Sequence, residues 1–206
     1  GTEMDVQLTK DNVLVLYHSP TLQESTSCEG RIRDMNWSDL EACRYRLPIF
    51  ARANLIRADE FFSKVNLANL VFTFDCKVEM NDDLDFLIRF SNALSDLIQK
   101  YAIIENSFIE SYSTVFLKTL YNKNNDFKLF VHSNNLSDGL DVSTNVKLYG
   151  ITIDREYITK EEIQIAHKKG LRVALFNADT ERENIQAIQM SPDFIQTDKM
   201  EKLLEM

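Results

Sequence analysis

Acidic residues and a histidine lie around the first turn of the chain, and their types suit metal-assisted or acid–base chemistry. Glu3 and Asp5 alternate along "TEMDVQL", so they share one face with Gln7 if this segment is a strand. His18 ends the next apolar run, "VLVLYH". Carboxylates bind Mg²⁺ or Ca²⁺, and a nearby imidazole can exchange protons near neutral pH. Taken alone, the two acids fit a solvated edge strand equally well.

A third acid makes the metal hypothesis stronger. Asp75 ends the apolar run "NLVFTFDC", and Lys77 follows two residues later. In α/β barrels the chemistry lies at the carboxyl ends of the strands. Three carboxylates meeting there would raise one another's pKa unless a cation neutralised them. We therefore expect Glu3, Asp5 and Asp75 to bind a divalent cation, and Lys77 to hold a phosphate oxygen.

The other histidines and the cysteines are weaker signals. His132 precedes a polar loop and could face the same end of the barrel as the three acids. His167 suits the last turn of a helix, where a positive charge interacts favourably with the helix dipole. The chain has an odd number of cysteines and no CxxC pair, which indicates neither a disulfide framework nor a zinc site. The three are Cys28, Cys43 and Cys76. We predict reduced thiols and favour a cytoplasmic location.

Strand and helix patterns alternate along the chain, which predicts an α/β fold with a parallel sheet. "TKEEIQIAHKKG" predicts a helix with Thr159 as N-cap, Glu162 as its capping-box partner and Gly170 as the stop. Seven runs predict barrel strands, one fewer than a closed eight-stranded barrel, and residues 13–18 predict an extra hairpin strand. The seven runs are residues 2–6, 69–76, 101–108, 127–133, 146–153, 171–177 and 193–197.

The bulk composition limits the classes of function. The 206 residues suit a single domain, residues 1–206, and 44% hydrophobic residues indicate a globular chain. The formal net charge of −9 argues against binding nucleic acid or an anionic membrane surface. No apolar run is long enough to predict an integral membrane segment.

The first forty residues resemble the core signature of the glycerophosphodiester phosphodiesterase family. That signature runs Glu-x-Asp-Val-x-Leu-Thr-Lys-Asp-Gly, a short strand, and then His-Asp, and "EMDVQLTKDNVLVLYHS" follows it closely. Weaker pieces follow in the family's order: "LP" at 47–48 resembles its Ile-Pro, "FDCK" its Glu-x-Lys, and "SF" at 107–108 its Ser-Phe. The resemblance extends through the closing segment "PDFIQTDKMEKLL".

The resemblance implies a TIM barrel that hydrolyses glycerophosphodiesters to glycerol 3-phosphate and an alcohol, in lipid and glycerol metabolism. By position it implies Glu3, Asp5 and Asp75 as ligands of Mg²⁺ or Ca²⁺. It implies His18 as one of two acid/base histidines and Lys77 as a contact to the substrate phosphate. The expected partner is therefore a small-molecule glycerophosphodiester.

Three departures from the family pattern affect what we expect of this chain. The family's first strand carries His-Arg-Gly, which is not in these 206 residues, so we expect a barrel without its first βα unit and with impaired activity. The family's His-Asp is His18-Ser19 here, and its third-strand glutamate is Asp75. Unpaired strand edges would favour a homodimer.

Two alternative functions remain open on the sequence. A catalytically inactive family member could keep the barrel and serve as a binding or assembly module, which the missing motif favours and the retained residues oppose. A metal-dependent barrel lyase or aldolase would rest only on the carboxylates and the fold, and the hairpin that ends in His18 argues against it.

Overall fold

The computed structural model describes residues 1–46 and 53–201. The chain divides into two compact units, Gly1–Phe108 and Ile109–Met206. Strands and helices alternate in both units, as the sequence predicts. The boundary between the units falls within the strand Ser107–Ser111.

Among its described residues, the first unit contains four complete strands, in the order β3-β2-β1-β4. β1 and β4 run parallel, while β2 pairs antiparallel with β1 on one side and with β3 on the other. The predicted hairpin between residues 2–6 and 13–18 is therefore confirmed. The strands are β1 (Thr2–Leu8), β2 (Leu14–Leu16), β3 (Ile56–Arg57) and β4 (Phe72–Cys76).

A long amphipathic helix and two shorter ones accompany these strands. The helix α3 begins after Asp83, whose carboxylate accepts a hydrogen bond from the Phe86 N–H at 2.8 Å, an N-cap that satisfies one of the exposed amides of the first turn. Its buried face includes Phe90 and Leu94. The helices are α1 (Trp37–Leu40), α2 (Ala58–Lys64) and α3 (Leu84–Lys100), with 3₁₀ turns at Leu22–Glu24 and Ile32–Asp34.

The turn between β1 and β2 is held by its own side chains. Thr9 Oγ1 accepts from the Val13 N–H at 2.8 Å and donates to Asp11 at 2.6 Å. Asn12 has φ of 66°, in the left-handed region where asparagine is tolerated better than most residues. Arg89 of α3 donates to the Asn12 side-chain oxygen at 2.7 Å. These bonds fix the hairpin that leads to His18.

The segment after β2 folds over a small apolar core of its own and carries a disulfide. Cys28 and Cys43 are bonded, with their Cα atoms 5.5 Å apart, so the prediction of three reduced thiols is wrong for this pair. Spacing along the sequence does not reveal which cysteines meet in space. Cys76 is buried and is not part of the disulfide. The core consists of Val15, Tyr17, Leu22, Ile32, Leu40, Cys43 and Leu55.

The second unit contains the remaining strands, in the order β5-β6-β7-β8-β9, with β5 crossing the unit boundary. β6, β7, β8 and β9 are joined by parallel pairings. The strands are β5 (Ser107–Ser111), β6 (Lys128–Ser133), β7 (Gly150–Asp154), β8 (Arg172–Phe176) and β9 (Phe194–Ile195). The helices are α4 (Thr114–Lys123), α5 (Leu136–Ser143), α6 (Lys160–Lys168) and α7 (Glu181–Met190).

The predicted capping box of α6 is confirmed. Thr159 Oγ1 accepts from the Glu162 N–H at 3.2 Å, and the Glu162 carboxylate accepts from the Thr159 N–H at 2.8 Å. Gly170 follows the helix with φ of +80°, the conformation that favours glycine at a helix end. The local sequence therefore determines both ends of this helix.

One predicted strand is displaced along the chain. The run at 101–108 was expected to be a strand, but β5 begins only at Ser107, after a 3₁₀ turn at Ile104–Asn106. Ala102 has φ of 52°, which ends α3 in a turn. Ile103 is buried there, so the apolar character of this run reflects packing of the turn rather than a strand.

The helices and the position of one predicted motif complete the fold. In the parts of the chain that the structure describes, none of the helices is both long enough and apolar enough to cross a membrane. The predicted motif at Leu47-Pro48 lies outside the described residues. The helix α2 begins farther along, at Ala58, directly after β3.

Candidate active site

Along β1, side chains that pack in the core alternate with side chains that could take part in chemistry. Met4, Val6 and Leu8 are buried on the apolar face. Glu3 and Asp5 lie on the opposite face, with Glu3 exposed and Asp5 partly buried. Because one face of the strand is committed to the core, its register presents both carboxylates on the same side.

β4 brings the third acid to the same level. In the parallel pairing of β1 with β4, Asp5 lies directly opposite Asp75 and Glu3 opposite Thr73. One carboxylate oxygen from each of Glu3, Asp5 and Asp75 lies within 4.8 Å of the others. The structure therefore brings together the three acids that the sequence singled out, in a group that could hold a metal ion.

Lys77 lies between two of these acids. Its Nζ is 2.8 Å from Asp5 Oδ1 and 2.5 Å from Asp75 Oδ2. Burial raises the pKa of Asp75 above its ordinary value, although the Lys77 ammonium opposes that rise and the nearby His18 opposes it more weakly. Burial alone would lower the pKa of Lys77, but the charges of Asp75 and Asp5 raise it instead. The ammonium thus partly offsets the repulsion between the carboxylates.

His18 lies at the end of the hairpin, on the same unit as the acids. Tyr17, just before it, donates its N–H to the Asp5 carbonyl at 3.0 Å. The Tyr17 hydroxyl reaches the Thr21 carbonyl at 2.9 Å, which anchors this residue in the small core. The imidazole itself is exposed, as an acid or base that meets a substrate needs to be.

The other two histidines lie in the second unit. His167 contacts Asp193 at 2.8 Å in the last turn of α6, in keeping with a structural role. His132 is partly buried near the end of β6. Its ring stacks on Tyr112, with ring centroids 4.2 Å apart, and meets the edge of Phe176. His132 is therefore held between aromatic side chains of its own unit.

One buried polar residue was missed on the sequence, and the contacts of a second were not foreseen. Glu110 is 2% exposed on β5 and accepts hydrogen bonds from Thr152 at 2.6 Å and Gln196 at 3.1 Å. Glu110 lies beyond the strand predicted at 101–108, so the displaced strand boundary hid it. Gln7 was recognised as sharing the face of Glu3 and Asp5, but its hydrogen bonds could not be foreseen.

One predicted feature is misplaced, and a cavity lies elsewhere in the first unit. Ser107 and Phe108 begin β5 rather than end it, so the predicted position of "SF" at a strand's carboxyl end is wrong. A cavity of about 560 Å³ in the first unit is lined by other residues, including Trp37, Glu41 and Arg57. In the candidate site Asp75 is buried, Asp5 and Lys77 are partly buried, and Glu3 and His18 are exposed.

Comparison with known proteins places these observations in a family. Residues 1–202 match the model of the glycerophosphoryl diester phosphodiesterase family. A glycerophosphodiester phosphodiesterase of Caldanaerobacter subterraneus subsp. tengcongensis is 22% identical over 219 residues. The alignment covers 100% of this chain and 85% of that protein.

Solved structures show the same fold at low identity. A phosphodiesterase from Oleispira antarctica, in complex with the product sn-glycerol-3-phosphate, is similar with a TM-score of 0.87 and 13% identity, covering 98% of this chain and 83% of that one. A glycerophosphodiester phosphodiesterase from Parabacteroides distasonis gives 0.82 and 17%, covering 100% and 82%. The predicted fold class, an α/β fold of the TIM-barrel type, is confirmed.

Proposed function

Since the chain belongs to the glycerophosphoryl diester phosphodiesterase family, we propose that it hydrolyses glycerophosphodiesters to glycerol 3-phosphate and an alcohol with the help of a divalent cation. The observation that carries this proposal is the register of β1 and β4, which sets Asp5 opposite Asp75 beside Glu3 and Lys77. The Oleispira phosphodiesterase binds sn-glycerol-3-phosphate as its product, which supports the choice of product.

The acids fit a hard divalent cation. Glu3, Asp5 and Asp75 offer only oxygen ligands, and these lie within 4.8 Å of one another, a donor set that suits Mg²⁺ or Ca²⁺. Burial of Asp75 makes its ionised form costly without a positive neighbour. When bound, such a cation supplies charge stabilisation to a phosphoryl oxygen.

Two residues of the protein would carry out the proton transfer and hold the substrate phosphate. His18, exposed at the end of the hairpin, exchanges a proton with the attacking water or the leaving oxygen. Lys77 holds a phosphate oxygen through its ammonium, which is already positioned between Asp5 and Asp75. The expectation that these 206 residues turn over slowly rests on the family's His-Arg-Gly, whose second histidine and arginine they do not contain, and it stays a prediction.

A non-catalytic binding module is the second candidate function, and one contact favours it. The Lys77 ammonium bonds both Asp5 and Asp75, so it supplies positive charge where a divalent cation would bind. A module that relies on Lys77 in this way would bind phosphate without a metal and without turnover. Metal titration separates the two candidates.

The deciding experiment measures glycerol 3-phosphate release from glycerophosphocholine with added Mg²⁺ or Ca²⁺, together with calorimetric titration of each metal. We expect metal-dependent release, and we expect an Asp5→Asn/Asp75→Asn double variant to lose both metal binding and release. Asp96→Asn is the matched control, since Asp96 is exposed on α3. Equal metal binding by the wild type and the double variant would overturn the metal site. Phosphate binding without metal binding and without product release would favour the module.

Assembly and compartment belong to the same proposal. A homodimer stays a prediction, to be checked by light scattering of the full chain. The Cys28–Cys43 disulfide favours folding in an oxidising compartment. The cytoplasmic location favoured on the sequence rested on reduced thiols, so this disulfide removes its main support.

A further inference from the structure

Gln7 makes a pair of hydrogen bonds that brackets the candidate acid/base residue. Its side-chain Nε2 donates to the Tyr17 carbonyl at 2.9 Å and to the Ser19 carbonyl at 2.9 Å. Since a carboxamide nitrogen carries two protons, both donors are used. The two acceptors are the backbone carbonyls on either side of His18.

The location of Gln7 makes this bracket rigid. It lies on β1 two residues after Asp5, is 9% exposed, and pairs through its backbone with Val15 of β2. A second hydrogen bond, from the Tyr17 N–H to the Asp5 carbonyl, also holds Tyr17 in place. One strand therefore carries two of the candidate metal ligands and also the group that fixes the backbone around His18.

We propose that Gln7 is a positioning residue, which aims His18 at the site by holding the carbonyls of Tyr17 and Ser19. This inference rests on the proposed function, because it assigns His18 the proton transfer. A glutamine is needed chemically, because a carboxylate at this position would face two carbonyl oxygens without a proton to donate. An aliphatic side chain would leave two poorly solvated acceptors without their partner.

The test compares Gln7→Met, which keeps the chain length but removes the donors, with Gln99→Met as the control. Gln99 is exposed on α3 in the same unit. Proton transfer by a positioned group contributes roughly 10²–10⁴-fold to rate, so a misdirected His18 should lower kcat by about 10- to 100-fold. KM and the calorimetric affinity for Ca²⁺ should stay within about twofold, since no metal ligand changes. The control should keep the wild-type kcat.

A double-mutant cycle separates positioning from a general structural effect. In a His18→Ala background, Gln7→Met should change the remaining rate by less than about twofold, because the residue through which Gln7 acts is gone. An equal loss in both backgrounds, or a wild-type kcat for Gln7→Met, would overturn the proposal. If Gln7→Met does not fold, Gln7→Asn serves in its place, since it keeps the amide but shortens the reach.

A measurement without turnover keeps this inference separate from the proposed function. The imidazole ¹H–¹³C signals of His18 can be assigned by their loss in His18→Ala. We expect them to shift in Gln7→Met while the signals of His132 and His167 stay in place. Unchanged His18 signals would overturn the positioning role even if the full chain released no product. Absence of release by the wild type, with shifted His18 signals, would overturn only the proposed function.

Discussion

Removing the Cys28–Cys43 disulfide should destabilise the first unit measurably. The bridge closes a loop between residues 15 apart in sequence, and it lies in the small core that also contains Tyr17. Cys43 is fully buried in that core. A Cys28→Ala/Cys43→Ala variant therefore loses the cross-link beside the residue that precedes His18.

The size of the effect follows from loop closure. Cross-linking a loop of this length removes denatured-state entropy worth about 3 kcal/mol at 25 °C. For chains of this size, 1 kcal/mol corresponds to roughly 2–4 °C in Tm. The melting temperature of the chain should therefore fall by about 6–12 °C in the double variant, and by a similar amount when the wild type is melted with a dithiol reductant.

Two assays check this reasoning. Thiol titration in guanidinium without reductant should find one thiol per chain, that of Cys76, and three after reduction. Circular dichroism should give the two melting temperatures. Cys76→Ala is the control and should keep the sensitivity to reductant. Three thiols in the untreated, air-exposed protein would refute the disulfide, and an unchanged Tm on reduction would refute the loop-closure argument.

Three further variants test single interactions. Lys77→Met should destabilise the chain by about 3 kcal/mol, because Asp5 and Asp75 lose their shared cation, and added Ca²⁺ should raise its Tm more than that of the wild type. Asp193→Asn should cost about 1–3 kcal/mol at pH 7. Burial would raise the pKa of Asp193, but hydrogen bonds from the Val173 N–H and Arg172 lower it below its ordinary value. Its stabilisation is therefore complete above the ordinary pKa and is lost as pH falls through the folded value. Asn12→Val should cost about 1–2 kcal/mol, since Asn12 has φ of 66°, measured by urea unfolding.

The controls for these variants follow from the same contacts. Lys118→Met changes an exposed lysine and should leave the response to Ca²⁺ unchanged. For Asp193→Asn, the stability gap to the wild type should shrink as pH falls below the ordinary pKa of aspartate; a constant gap would contradict the role of the charge. Asn12→Gly relieves the backbone strain but loses the bond from Arg89, so it should be less harmful than Asn12→Val. Equal costs would contradict the backbone argument.

The parts of the fold that the sequence predicted are those with local causes. The alternation along β1, the turn at Thr9 and the capping box at Thr159 each depend on residues within a few positions of one another. The meeting of Asp5 with Asp75 was predicted from a general rule, that strand ends converge in α/β barrels, and the register of β1 with β4 confirms their proximity. The family resemblance supplied the order of the weaker segments.

The parts that were missed depend on contacts between distant segments. Nothing local pairs Cys28 with Cys43, and the bridge needs the apolar core to bring them within reach. The strand expected at 101–108 was misplaced because the apolar Ile103 packs in a turn after α3. That shift also concealed Glu110, which the sequence pattern placed outside any strand.

β1 explains why the chemistry and the packing of the first unit cannot be separated. Its buried face, Met4, Val6 and Leu8, fixes the register of the strand, and a slip of one residue would turn every side chain to the opposite face. With that register fixed, Asp5 meets Asp75 and Lys77, and Gln7 reaches the carbonyls beside His18. The alternating pattern that first drew attention to these residues is therefore the physical cause of their arrangement. A change in the apolar face should therefore affect the candidate metal ligands and His18 together, because a single strand positions both.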